Sequence, residues 1–115
     1  MVMRMAKVAI ASVVLTACGA SLPPPSDDWA AAQADVGRAQ SGGAPSVPDA
    51  KLHLQLAQED LQKSKDLMDK DNKRAGSLVA LARVEAQLAL SLAKAASAQD
   101  TAQQAQQDLQ KAKGN

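Results

Sequence analysis

Lys73–Lys113 reads KRAGSLVALARVEAQLALSLAKAASAQDTAQQAQQDLQKAK. No proline interrupts it, and Gly76 sits in its first turns, where a glycine costs little. Leu81, Val84, Leu88, Ser91, Ala95, Ala98, Ala102, Ala105, Leu109 and Ala112 follow alternating three- and four-residue steps. That pattern predicts one long helix with a coiled-coil-like seam. At about 1.5 Å per residue it would reach roughly 60 Å. The second half of the seam is mostly alanine, which permits close approach but buries little area per residue.

Upstream, two shorter helices are expected. One begins near Pro48-Asp49 and runs to about Asp69. Its stripe is Leu54, Ala57, Leu61, Ser64 and Met68, and Leu52, Leu56 and Leu67 broaden it into a core-facing band. Asp69-Lys70-Asp71-Asn72 is polar and predicts a tight connection to the long helix. The other runs from about Asp27 to Gln40, with Ser26-Asp27-Asp28 as its start signal. Trp29, Ala32, Val36 and Ala39 share one face, and Ser41-Gly42-Gly43-Ala44-Pro45 ends it. No strand-like alternation occurs. The fold class is therefore all-α, a small up-down bundle of about three helices with a long C-terminal helix. The long helix is about twice the length of its neighbour, so its final turns should protrude or pair with something else.

One internal echo fits a coil-like segment. Ala57-Gln58-Glu59-Asp60-Leu61-Gln62-Lys63-Ser64-Lys65 closely matches Ala105-Gln106-Gln107-Asp108-Leu109-Gln110-Lys111-Ala112-Lys113. The flanks do not extend the match, so two exposed helices drawing on one small alphabet explain it better than duplication.

The N-terminus carries a different message. Arg4 and Lys7 precede an apolar run from Val8 to Leu15, too short for the roughly 20 residues that span a bilayer. Leu15-Thr16-Ala17-Cys18 follows. These four residues resemble the lipobox of bacterial lipoproteins, position by position. The resemblance implies that Leu15, Thr16 and Ala17 are read by a signal peptidase, and that Cys18 is lipidated and becomes the mature N-terminus. Cys18 is the one cysteine of the chain, so acylation gives a use to an otherwise unpaired thiol. More than one acyl chain would anchor it stably. Residues 1–17 are then a cleaved signal, 18–26 a lipidated cysteine with the Pro23-Pro24-Pro25 tether, and 27–115 the helical domain. In many Gram-negative lipoproteins an aspartate after the cysteine marks inner-membrane retention. Gly19 stands there instead, which implies the outer membrane, facing the periplasm.

Composition excludes several functions. The chain carries 13 basic and 12 acidic residues. Losing Arg4 and Lys7 with the signal would leave the mature chain close to neutral, not the concentrated basic face of a nucleic-acid binder. Trp29 is the one aromatic residue, so stacking platforms for bases or sugars are not expected. His53 is the one histidine, which argues against a metal site and for a helix-surface or boundary role. Glu59, Asp60 and Asp66 lie at helical spacing from Lys63 and Lys65, as on a solvated face. There is no phosphate loop and no nucleophile motif, and Ala-rich bundles offer few pockets. The expectation is a non-enzymatic protein without cofactor or metal, apart from the covalent lipid on Cys18.

From lipobox to the long stretch beginning Ala75-Gly76-Ser77-Leu78-Val79-Ala80, the mature chain resembles a family of small bacterial envelope lipoproteins with an Ala-rich helical domain of unassigned function. In relatives this domain can precede an OmpA-like module, which is not expected here. The chain is also similar to the murein lipoprotein, a lipidated heptad helix attached through a C-terminal lysine. Lys113 is followed by Gly114-Asn115, a departure that argues against covalent attachment. The resulting expectation is an envelope adaptor or structural element working through helix–helix contact with a protein partner or another copy. Leu81, Val84, Leu88, Ala95, Ala102 and Leu109 are its candidate seam. The competing reading is a small binder of a lipid or other hydrophobic ligand.

Overall fold

A computed structural model describes residues 21–114. The residues read as signal and lipobox, Cys18 included, lie outside them. Three α-helices account for nearly all of the described chain: α1 (Ser26–Ser41), α2 (Pro48–Leu67) and α3 (Asn72–Lys113). A single 3-10 turn, Ala44–Ser46, joins α1 to α2. The expected all-α bundle with a long last helix is the observed fold.

Helix ends follow local chemistry with small departures. α1 begins at Ser26 itself, with Pro25 in the capping position and no side-chain cap. The residues read as a capping signal therefore sit inside the first turn, where Asp27 and Asp28 still oppose the helix dipole. α2 stops at Leu67, two residues early, because Asp69 takes φ 67°. Asp71 caps α3 by accepting from the Arg74 N–H at 3.0 Å.

Between α1 and α2 the chain turns through two glycines. Gly43 has φ +95°, a region that favours glycine. A Cβ on Gly42 would lie 2.4 Å from Leu90 Cδ1 and 3.0 Å from the Arg38 carbonyl oxygen. That turn is therefore pressed directly against α3.

α2 and α3 form a hairpin, and α1 packs mainly on α3. α1 and α3 run parallel, since Asp35 meets Arg83 and Gly42 meets Leu90 at the same sequence offset. The core stripe of α2 is Ala50, Leu54, Ala57, Leu61 and Ser64. Leu52 and Leu56, expected to widen this band, are 54% and 37% exposed. They lie past the edge of a seam that alanine has made narrow.

On α3 the buried stripe is Ala75, Val79, Ala82, Ala86, Ala89 and Ala93. Leu81, Val84 and Leu88 are not in it and face solvent. Among the described residues, ten of the fourteen buried apolar ones are alanine. Each alanine withdraws about one methyl from water, worth roughly 0.8 kcal/mol, against 1.5–3 kcal/mol for a buried leucine or valine. The bundle is thus close-packed, with a small hydrophobic driving force.

Candidate functional site

Two structural features bear on function: an unpartnered face of α3, and the way the tether meets the bundle. The seam residues Leu81, Val84, Leu88, Ala95, Ala102 and Leu109 are all exposed. They occupy the back of α3, opposite the stripe packed on α2 and α1. α3 therefore carries apolar residues on two faces at one period. From Ser97 to Lys113 every residue is exposed, so this half projects alone for about 25 Å. The inner stripe changes character along that projection: Asp100, Gln103, Gln107 and Gln110 continue the register of Ala86, Ala89 and Ala93. The outer stripe stays apolar through Ala98, Ala102, Ala105 and Leu109.

At the other end, Asn72 Nδ2 donates to the Leu22 carbonyl oxygen at 2.7 Å. Asn72 opens α3, so the end of the tether is held at the base of the long helix. The parallel packing of α1 on α3 continues that alignment. The free half of α3 consequently points away from the tether.

Polar contacts between helices set the register, and sequence reading missed most of them. Asp35 is 4% exposed and accepts from Arg83 Nε at 3.1 Å and from Arg38 Nη2. Burial pushes the Asp35 pKa up. Hydrogen bonds and charge from Arg83 and Arg38 outweigh it and hold the carboxyl below its ordinary value. His53 lies within α2, half-buried at the edge of the packed face, and its Nδ1 is 2.5 Å from Glu85 Oε2 across the α2–α3 hairpin. Burial raises the Asp60 pKa, Lys63 opposes that, and Glu85 and Glu59 add to it. Lys63 and Glu59 pair at 3.7 Å on the solvated face, as their spacing predicts. Neither the Asp35 nor the Glu85 pairing is signalled by a motif, because each joins residues more than thirty apart.

Trp29 Nε1 donates to the Leu61 carbonyl oxygen at 3.1 Å, and Lys65 Nζ stands 5.7 Å from the ring centroid. The ring borders a groove of about 440 Å³ between α1 and α2. The fold places polar residues from two helices, Gln33 and Gln40 of α1 with Gln58 and Gln62 of α2, around this lone aromatic. Among the described residues, no three His, Cys, Asp or Glu side chains stand together in a way that would hold a metal.

An 18-residue window of α3 has a mean hydropathy of 1.3 and is long and apolar enough to cross a membrane. The two apolar faces of this core helix account for that value.

These features define a class: a three-helix bundle whose last helix projects and keeps an apolar face open. A family model described as "Domain of unknown function (DUF4398)" matches residues 27–105. The chain belongs to that family. No curated protein and no solved structure matches it.

Proposed function

We propose that this chain is a lipid-anchored, periplasm-facing adaptor or structural element of the bacterial outer membrane. It is non-enzymatic and acts through helix–helix contact. The observation that carries the reading is the 2.7 Å bond from Asn72 to the Leu22 carbonyl oxygen. If Cys18 is lipidated, only three residues lie between the anchor and Leu22, and the four steps span at most about 14 Å of chain. The base of α3 then stays near the membrane and its tip stands roughly 60 Å further out. A rod held by one end, with an apolar face open along its length, is suited to meeting a partner helix at a distance.

The competing reading, a binder of lipid, has less support. The grooves of the bundle are open, and at the hairpin end the charged Lys63, Asp66 and Arg74 stand beside Leu67 and Leu78. An acyl chain favours an enclosed, mostly apolar cavity.

Deleting residues 95–113 from the full chain tests the proposal. Crosslinked partners should disappear in cells while membrane fractionation stays unchanged. Partner capture that survives the deletion would count against the projecting helix as the contact surface. Loss of membrane association in Cys18→Ala tests the anchor separately.

A further inference from the structure

The groove between α1 and α2 has an unusual lining. Gln33 and Gln40 border it from α1, and Gln58 and Gln62 from α2. Six glutamines precede Lys94 in the sequence, and four of them meet here. Spacings of seven and four place each pair on one face of its helix. Trp29, the only aromatic residue of the chain, borders the same groove. None of the bordering side chains is charged.

The donor and acceptor inventory narrows the ligand. A carboxamide both donates and accepts, as a hydroxyl or an acetamido group does. Gln62 Nε2 already donates to Asp66 Oδ1 at 3.2 Å, which leaves its oxygen to accept. The Trp29 N–H is used by Leu61, so the indole offers apolar surface and no hydrogen bond. Gly37 lies between Gln33 and Gln40, and a Cβ there would meet nothing within 4 Å. The wall is therefore low at its centre. The nearest charges stand at the rim: Lys65 Nζ is 5.7 Å from the Trp29 ring centroid and Asp66 is held by Gln62, while the residues that border the groove are neutral.

We infer that this groove binds a neutral oligosaccharide, with N-acetylated hexosamine units as the best fit. Sugar hydroxyls and acetamido groups pair with the four carboxamides, and a pyranose C–H face lies against Trp29. The inference stands on the groove alone and is independent of the anchor and of the outer face of α3.

The test uses the full chain in a detergent without a sugar headgroup. Trp29 fluorescence is the readout, since no other tryptophan contributes. The probe is the β-1,4-linked tetramer of N-acetylglucosamine. A saturable change is expected, with half-saturation on the order of 1 mM or tighter for an open site. Gln33→Ala with Gln58→Ala should weaken it about fivefold or more, as two exposed hydrogen bonds are lost. Gly37→Leu should fill the groove and abolish the response with the helical circular dichroism unchanged. Absence of saturation up to roughly 20 mM overturns the inference. So does a response untouched by either variant. A stronger response to an end-capped alanine tetrapeptide would assign the groove to polypeptide instead and also overturn it.

Discussion

Arg83 on α3 donates its Nε–H to Asp35 Oδ2 on α1 at 3.1 Å, and Asp35 is 4% exposed while Arg83 is 41% exposed. One buried carboxylate thus joins two helices whose apolar contact is mostly alanine. Arg38 completes the arrangement from within α1. In a core this small, a directional contact fixes the rotation and slide of α1 on α3 more sharply than methyl groups can.

Asp35→Asn should destabilise the bundle by about 1–2 kcal/mol at pH 7, since two charge-assisted bonds to largely exposed arginines weaken. The loss should also depend on pH. The folded pKa of Asp35 lies below its ordinary value. An unfolded aspartate titrates near 3.9, so the folded state binds fewer protons around that pH. Its stabilisation is fully present above about pH 5 and fades as pH falls through the folded pKa. Chemical unfolding at pH 7 and pH 3 should show the gap between wild type and variant shrinking in acid. A constant gap would remove ionisation from the explanation.

Ser64 is completely buried on α2, and its Oγ has no hydrogen-bond partner. Ser64→Ala removes an unpaired hydroxyl and leaves a residue that suits both helix and seam. Stability should stay level or rise by about 1 kcal/mol in a thermal melt. A clear loss would mean that the hydroxyl has a partner in solution.

The two faces of α3 should respond in opposite ways. Leu81→Gln, Val84→Gln and Leu88→Gln alter exposed positions and should each change stability by less than about 0.5 kcal/mol. Combined, they should reduce partner crosslinking. Ala86→Leu overfills the buried stripe and should cost about 1–3 kcal/mol. Denaturation curves that rank the variants the other way would put the core on the wrong face.

Helices, their order and their ends were legible because each depends on neighbours in sequence. The Asp69–Asn72 turn, the Gly42-Gly43 break and the uninterrupted run to Lys113 all appear where local residues predict them. The groove between α1 and α2 was not legible. Trp29 reads as an isolated aromatic until α2 brings Gln58 and Gln62 beside it. Contacts such as Asp35 with Arg83 have no local signature, since a charged residue on a helix reads as solvated by default.

By itself the sequence determined that this is an all-α chain of three helices, with a last helix about twice as long as the one before it. Propensity, turn residues and the absence of strand-like alternation suffice for that, because they act over a few residues. Only the tertiary structure decided which side of α3 is inside. Ala75, Val79, Ala82, Ala86 and Leu81, Val84, Leu88 repeat with the same period, and periodicity cannot rank one above the other. Packing chose the smaller side chains. Leu54 and Leu61 of α2 fill the space that the alanines of α3 leave, and the helices close on them. Leu81, Val84 and Leu88 were left outside, where a further helix has room to meet them.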